Sequence, residues 1–350
     1  MRDGFGREID YMRISVIDSC NLNCYYCNPC DNNEHCHALN ILSVKEVLCI
    51  VRAATRLGIK HFRLTGGEPL LHPQLDEMVL QIKKIPGVSS VSLTTNAVLL
   101  AQHAKWLKEA GIDSINVSLD TIDASEYERI TKKPLLEEVK HGINAAIECG
   151  IRVKINVVLT PQTDVVALTR YVAKKGTDIR FIEMMPVGEG HTNGVEPYKK
   201  VIGTLSKLYG EPCRINTEKT KEINSGNDKR KIPDNGPAEY YIFPELGIRV
   251  GLIQAIHGKF CDTCNRIRVT ADGRLMPCLG SSVTMDLVPD SCEFTDDLEK
   301  DFVIVQALKA AIKAKPRCHN FNDNTVAYTK ATETKAAEVN AARNMSRIGG

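Results

Sequence analysis

The chain has 350 residues, 43% of them hydrophobic and 25% charged, the proportions of a folded globular protein, which excludes a disordered or fibrous one. A formal net charge of +2 gives no electrostatic reason to bind nucleic acid or an anionic membrane surface. The polar opening MRDGFGREIDYMR lacks the apolar core of a secretory signal and no apolar run reaches the length of a membrane span, so the expected compartment is the cytoplasm.

From Tyr11 to about Met185 two sequence periods alternate. The β-branched runs YMRISVID, KHFRLT, VSSVSLTT, SINVSLD, RVKINVVLT and DIRFIEMM read as strands. Between them lie SVKEVLCIVRAATRLG, PQLDEMVLQIKKI, LAQHAKWLKEAG, LLEEVKHGINAAIECG and TDVVALTRYVAKKG, which read as helices. In the first of these, Ser43 stands as N-cap and Gly58 as C-cap. Repeated strand–helix–strand units give right-handed crossovers and a parallel sheet. Six such strands fall short of the eight of a closed barrel. The expected fold class is therefore α/β: a partial, open (β/α)6 TIM-type barrel over residues 1–188, followed by a C-terminal extension over residues 189–350. In that extension PYKKVIGTLSKLYG reads as a helix. AEYYIFPELGIRVGLI and NRIRVTADGRLMPCL read as a small antiparallel β region, the latter turning at Asp272-Gly273. A helix is expected from about Leu298 to Lys315, and the tail ends in a double glycine.

Thirteen cysteines is a high and odd number. In a reducing cytosol disulfides rarely persist, and clustered cysteines there point to metal ligation. Cys20, Cys24 and Cys27, spaced C-x3-C-x2-C, follow the first strand directly, where barrel enzymes keep their chemistry. Three thiolates hold three corners of a cubane iron–sulfur cluster and leave one iron open to a small molecule. Zinc is the competing reading: it takes four ligands, and Cys30, His35, Cys36 and His37 stand nearby. Leu64–Pro69, LTGGEP, ends the second strand with two glycines that let backbone approach a polar ligand. Cys261, Cys264 and Cys278 repeat the three-thiol pattern as C-x2-C-x13-C, with Arg266 and Arg268 alternating on one strand inside it, a pairing suited to an anion. Cys49 and Cys149 lie in helices and read as small core hydrophobes.

The cysteine loop, with Tyr26 before its last cysteine, and the Gly-Gly-Glu-Pro segment together resemble the radical S-adenosylmethionine superfamily. Its open iron chelates S-adenosylmethionine, and the reduced cluster cleaves the sulfonium to a 5′-deoxyadenosyl radical. From Tyr11 to the end, including RFIEMMPVGEG, NRIRVTADGRLMPCL and MSRIGG, the chain resembles the GTP 3′,8-cyclase family of that superfamily. The resemblance implies conversion of GTP to (8S)-3′,8-cyclo-7,8-dihydroguanosine 5′-triphosphate, the first step of molybdenum cofactor biosynthesis, with two 4Fe-4S clusters. Cys20, Cys24 and Cys27 would hold one cluster, and Cys261, Cys264 and Cys278 the other, whose open iron takes the guanine. The resemblance places Tyr26, Gly67, Ser118 and Met185 at S-adenosylmethionine. At GTP it places Arg13, Arg63, Thr94, Lys154 and the tripeptide Arg266, Ile267 and Arg268. Arg266, Arg268, Gly349 and Gly350 carry its catalytic roles.

As partners the resemblance implies GTP, a flavodoxin- or ferredoxin-like electron donor, the downstream cyclic pyranopterin monophosphate synthase and a second copy of the chain in a homodimer. It implies neither nucleic acid nor membrane. Three places depart from the family pattern. His72 and Pro73 stand where basic residues usually follow Gly-Gly-Glu-Pro, TTNA replaces TTNG, and CLGS stands where phenylalanine commonly follows Cys-Leu. A radical S-adenosylmethionine maturase with one auxiliary cluster is the second reading; it needs neither the arginine pair nor the Gly-Gly terminus.

Overall fold

The computed structural model describes residues 1–27, 40–187, 194–215, 236–281, 283–287, 297–319 and 321. The strand–helix alternation gives β1 (Tyr11–Ser15), α1 (Val44–Arg56), β2 (His61–Thr65), α2 (Leu75–Lys83), β3 (Ser90–Thr95), α3 (Leu100–Glu109) and β4 (Ser114–Ser118). After β4 come α4 (Ala124–Thr131), α5 (Leu136–Glu148), β5 (Val153–Val158), α6 (Val165–Lys174) and β6 (Asp178–Ile182). The extension adds α7 (Gly203–Tyr209), β7 (Cys213–Ile215), β8 (Glu239–Ile242), β9 (Arg249–Ile253), β10 (Arg266–Val269), β11 (Arg274–Met276), β12 (Met285–Asp286) and α8 (Asp297–Lys313).

Local chemistry explains the boundaries. Ser43 caps α1 in a capping box: its hydroxyl accepts from Glu46 N while the Glu46 carboxylate accepts from Ser43 N at 2.8 Å. Gly58, at φ 84°, turns the chain out of that helix in the left-handed region. The sequence reading passes over α4, although Asp123 caps it by accepting from Glu126 N at 2.8 Å. The apolar strand residues Met12, Ile14, Phe62 and Leu64 pack with Val47, Ile50 and Val51 of α1 in one continuous core.

The sheet order is β12-β11-β10-β1-β2-β3-β4-β5-β6-β9-β8-β7. Six consecutive βα strands form its centre, and the extension supplies both flanks. β10 pairs in parallel with β1 (Arg13 opposite Arg268) and β9 in parallel with β6. Eight neighbouring strands thus run parallel, yet β9 and β10 do not pair with each other, and the barrel stays open on that side. Beyond the parallel block, β11 pairs antiparallel with β10 and β8 antiparallel with β9. After α8 the chain runs across the open side: Lys315 Nζ donates to Arg266 O at 2.8 Å, and His319 Nε2 lies 2.7 Å from Ala255 O.

Candidate active site

The loop after β1 carries the first three cysteines, and its path is fixed by the loop after β2. Gly67 N donates to Ile17 O and Glu68 N to Ser19 O, both at 2.8 Å. A Cβ on Gly66 would stand 2.3 Å from Ile17 O, and one on Gly67 2.2 Å from Ser19 O. The glycines are thus needed to let two chain segments meet just before Cys20, which is a different crowding from the ligand approach expected above.

Glu68 is fully buried and accepts from Leu70 N at 3.0 Å, Thr95 Oγ1 at 2.7 Å and Asn96 N at 2.7 Å. Asn96 in turn directs its amide to Asn21 Oδ1 at 2.7 Å and lies 3.7 Å from Cys20 Sγ. The carboxylate therefore ties the ends of β2 and β3 to the cysteine loop. Burial pushes it up to about 7.

Tyr26 is held from the loop after β4. Its hydroxyl donates to Asp120 Oδ2 at 2.5 Å, and Asp120 Oδ1 accepts from Val158 N at 2.7 Å. Burial raises Asp120 to about 6 despite those bonds. Burial also raises the thiols, Cys20 to about 11 and Cys27 to about 12, and neighbouring Asp120, Cys27 and Cys20 add to the rise at Cys24. Thiols held up this way bind as thiolates only when a cation displaces their protons.

Both cysteine sets open on one cavity of about 630 Å³ inside the barrel. Because β10 runs parallel to β1, Cys264, two residues before β10, and Cys20, beyond the end of β1, lie at opposite ends of the barrel. Five-residue β1 alone puts roughly 16 Å between those ends. Cys278 follows β11, antiparallel to β10, and so returns to the Cys264 end.

Between the two ends the inward strand positions are polar and fall in register. Arg13 lies opposite Arg63 and Arg268, Thr94 opposite Asn116, Asn116 opposite Lys154, and Asn156 opposite Arg180. All of these residues border the cavity. Burial, and then repulsion from Arg268, Arg63 and Arg266, hold Arg13 well below the ordinary arginine range. Burial and Arg266 bring Arg268 down to about 10. Asn116 Oδ1 is buried without a hydrogen-bond partner among the described residues. Gly251 leaves room for Arg180: a Cβ there would lie 2.8 Å from Arg180 Cγ. Such a belt of buried cations attracts an anion of several charges.

Arg63 is aimed by three bonds. Its Nε donates to the Tyr11 hydroxyl, and its Nη1 reaches Leu93 O at 3.3 Å and Thr94 Oγ1 at 3.4 Å. Burial alone would raise the Tyr11 phenol, but the charges of Arg63 and Arg13 bring it below the usual tyrosine value. At the far end, burial acts to raise Cys264, but Arg266 and Lys315 outweigh it and bring the thiol down to about 7. Cys261 is raised, chiefly by burial.

The expected residues Tyr26, Gly67, Ser118, Met185, Arg13, Arg63, Thr94, Lys154, Arg266 and Arg268 border this cavity together with all six expected cysteines. Ile267 does not: it is 1% exposed in the core, because side chains alternate across β10. Gly349, Gly350 and the Cys30, His35, Cys36, His37 loop lie outside the described residues. Sequence reasoning missed Asn116, Asn156, Arg180, Asp120, Lys315 and His319, which also border the cavity. Polar residues at inward positions of otherwise apolar strands are a signal that could have found the first three.

Two departures from the family pattern lie away from the cavity, and the third borders it. His72 is buried, with Nε2 2.9 Å from Leu42 O and Nδ1 accepting from Gln74 N at 3.1 Å. Ala97, in TTNA, sits at φ 66°. Gly280, in CLGS, has no room for a side chain, since a Cβ would lie 2.7 Å from His319 Cβ and 3.0 Å from the Phe321 ring.

The thiols fit cubane clusters. Among the described residues no three Cys, His, Asp or Glu side chains converge closely enough to share one ion, as zinc with thiolates at about 2.3 Å requires. A cubane instead takes each thiolate on a different iron; all six thiols border the cavity, and within each set the thiols act on one another's charge.

Residues 14–167 match the radical SAM superfamily, and residues 177–321 match a family described as Molybdenum Cofactor Synthesis C. A GTP 3′,8-cyclase of Clostridium perfringens is 36% identical over 92% of this chain and 95% of its own length. A GTP 3′,8-cyclase of Petrotoga mobilis is 34% identical over the full length of both. Among solved structures, SuiB of Streptococcus suis bound to S-adenosylmethionine shares the fold at a TM-score of 0.56 and 15% identity, over 86% of this chain and 66% of that one.

Proposed function

The chain belongs to the radical SAM superfamily and, within it, to the GTP 3′,8-cyclases, and from that membership we propose that its cavity converts GTP to (8S)-3′,8-cyclo-7,8-dihydroguanosine 5′-triphosphate. This is a lyase reaction and the first step of molybdenum cofactor biosynthesis. The observation that carries the reading is the arrangement of two three-thiol sets at opposite ends of one barrel interior, with a belt of buried cations between them. When bound, a 4Fe-4S cluster at Cys20, Cys24 and Cys27 with S-adenosylmethionine supplies one-electron hydrogen-atom abstraction, and a second cluster at Cys261, Cys264 and Cys278 supplies an open iron for the guanine.

The chain's own residues bind, aim and shield. Tyr26, Gly67, Ser118 and Met185 border the end at which S-adenosylmethionine is bound, and Asp120 fixes Tyr26 there. Arg13, Arg63, Thr94, Lys154, Arg266 and Arg268 hold the triphosphate, with Ile267 contributing only its backbone. The mutual repulsion of Arg13, Arg63, Arg266 and Arg268 is relieved when an anion binds among them. Gly349 and Gly350 are assigned to the active site on the family pattern alone; deleting them should leave iron content unchanged and suppress product.

The reading also includes a cytoplasmic enzyme, a flavodoxin- or ferredoxin-like donor, hand-over to the downstream synthase, and a homodimer. These assignments rest on the family pattern. Among the described residues no helix is long and apolar enough to cross a membrane.

The test is an anaerobic assay of reconstituted protein with GTP, S-adenosylmethionine and dithionite, following 5′-deoxyadenosine and nucleotide product together. The two should appear in step. Deoxyadenosine formed without any change in GTP would remove the substrate assignment.

A further inference from the structure

Two cations clamp the second cysteine motif, and they differ in one respect. Arg7, 8% exposed, donates through Nη1 to Cys261 O at 2.7 Å and Arg317 O at 3.0 Å, and through Nη2 to Pro316 O at 2.7 Å. Its charge is balanced by Asp3, whose Oδ2 lies 2.6 Å from Nε. Lys315 is more deeply buried, 3% exposed, and borders the cavity. Its Nζ donates to Arg266 O at 2.8 Å and Pro277 O at 2.9 Å, and its charge acts on the Cys264 thiol.

Among the described residues no carboxylate forms an ion pair with Lys315. A buried ammonium with only neutral carbonyl partners is costly, and native structures pair such charges. The group in the site that its charge acts on is the sulfur of Cys264, which is an anion when it ligates a metal. One lysine thereby joins both halves of the C-x2-C-x13-C motif: Cys264, the backbone at Arg266 two residues on, and the residue before Cys278.

We infer that Lys315 is a positioning residue of the auxiliary cluster, holding Cys264 and Cys278 in their ligating places and supplying the buried positive charge that balances the thiolate-bound cluster. Donors and charge beside a ligating sulfur raise a cluster's reduction potential and orient its ligands. The inference rests on Cys261, Cys264 and Cys278 being cluster ligands.

The test uses the reconstituted full chain. Lys315→Met keeps the aliphatic stem and removes the charge, and Lys315→Gln keeps a donor without charge. Three quantities are read: iron and sulfide per chain, the midpoints of both clusters by titration followed with electron paramagnetic resonance, and melting of the apo and reconstituted forms. In both variants the auxiliary midpoint should move to a more negative potential while that of the N-terminal cluster stays in place. Melting should fall more in the reconstituted form than in the apo form. Should Lys315→Met fail to fold, Lys315→Gln carries the same comparison. Unchanged midpoints, with equal losses of melting in apo and reconstituted protein, would reduce Lys315 to a carbonyl clamp and overturn the inference. Failure of the cluster assignment itself would look different, because the unsubstituted chain would then bind only one cluster.

Discussion

Tyr11→Phe tests how the cavity aims its cations. The hydroxyl accepts from Arg63 Nε, while the remaining anchors of Arg63, to Leu93 O at 3.3 Å and Thr94 Oγ1 at 3.4 Å, are long. The ring, with the guanidinium 5.9 Å from its centre, is retained by phenylalanine, so the substitution isolates the oxygen. A hydrogen bond to a charged group contributes about 1.5–3 kcal/mol, which at tenfold per 1.4 kcal/mol is about 10- to 100-fold in affinity. Because the two Nη1 bonds still restrain the guanidinium, the lower figure applies: KM for GTP should rise by about tenfold. On the proposed assignment S-adenosylmethionine binds at the Cys20 end of the barrel, so deoxyadenosine formation without GTP should be unchanged. The assay is initial-rate deoxyadenosine and nucleotide product against GTP concentration. An unchanged KM, or a parallel loss of the GTP-independent cleavage, would refute the assignment of Arg63 to the triphosphate and of Tyr11 to its support.

Cys24→Ser should abolish S-adenosylmethionine cleavage, whereas Cys278→Ser should keep uncoupled cleavage and lose the cyclised product; if both variants lost only cleavage, the division between the two thiol sets would be wrong. Ala97→Gly should change stability by less than about 1 kcal/mol although the methyl is fully buried, because relief of about 1–2 kcal/mol of left-handed strain offsets lost burial and glycine's entropy; a thermal or urea melt reads it, and a loss above about 2 kcal/mol would mean that Ala97 is unstrained. Glu68 is held at about 7 against its ordinary 4.5, so the folded state binds that proton more tightly than the unfolded one. The stability it contributes is present below pH 4.5 and lost as pH rises toward 7, roughly 3 kcal/mol across the window. Apo-protein melts should show that decline, and Glu68→Gln should flatten it.

Much of the barrel was legible because its signals are local. Ser43 caps α1, Gly58 ends it, and the apolar strand runs lie where the parallel strands form. The flanks of the sheet were not. Pairing β10 with β1 joins residues some 255 apart in the chain, Tyr11 with Arg266, and no periodicity near either end encodes it. The hairpin turn at Asp272-Gly273 could be read, whereas its parallel attachment to the barrel could not. Site residues divide in the same way. The cysteines, Arg266 and Arg268 announce themselves by spacing, and Arg13, Arg63 and Lys154 were placed through the family pattern. Lys315 was expected only as the last residue of a helix; α8 ends two residues earlier, and that releases Lys315 to turn inward. Asp120 and Glu68 are bare carboxylates in sequence, and only the folded loops show that one holds Tyr26 and the other the approach to Cys20.

The openness of the barrel is what allows it to hold a nucleotide. A closed (β/α)8 barrel fills its interior with layers of its own side chains and keeps its ligand sites outside that core, at the strand ends. Here eight strands run parallel from β10 to β9, yet the two outermost do not pair, and the chain after α8 crosses the gap instead of another strand. The interior widens to about 630 Å³ and is lined by thiols at both ends, so a ligand can touch each set. Polar residues at the inward positions would be costly in a packed barrel core. In a cavity that admits water or an anion they are not, which is why Arg13, Arg63, Lys154 and Arg268 can stand in register on neighbouring strands. The same opening puts the second cysteine set at the start of β10, next to the strand whose far end carries the first. On the proposed assignment, a nucleotide lying along β1 and β10 would turn its base to the second cysteine set and its ribose toward the first, with the triphosphate, which hangs from the ribose, turned to the arginines of the barrel wall.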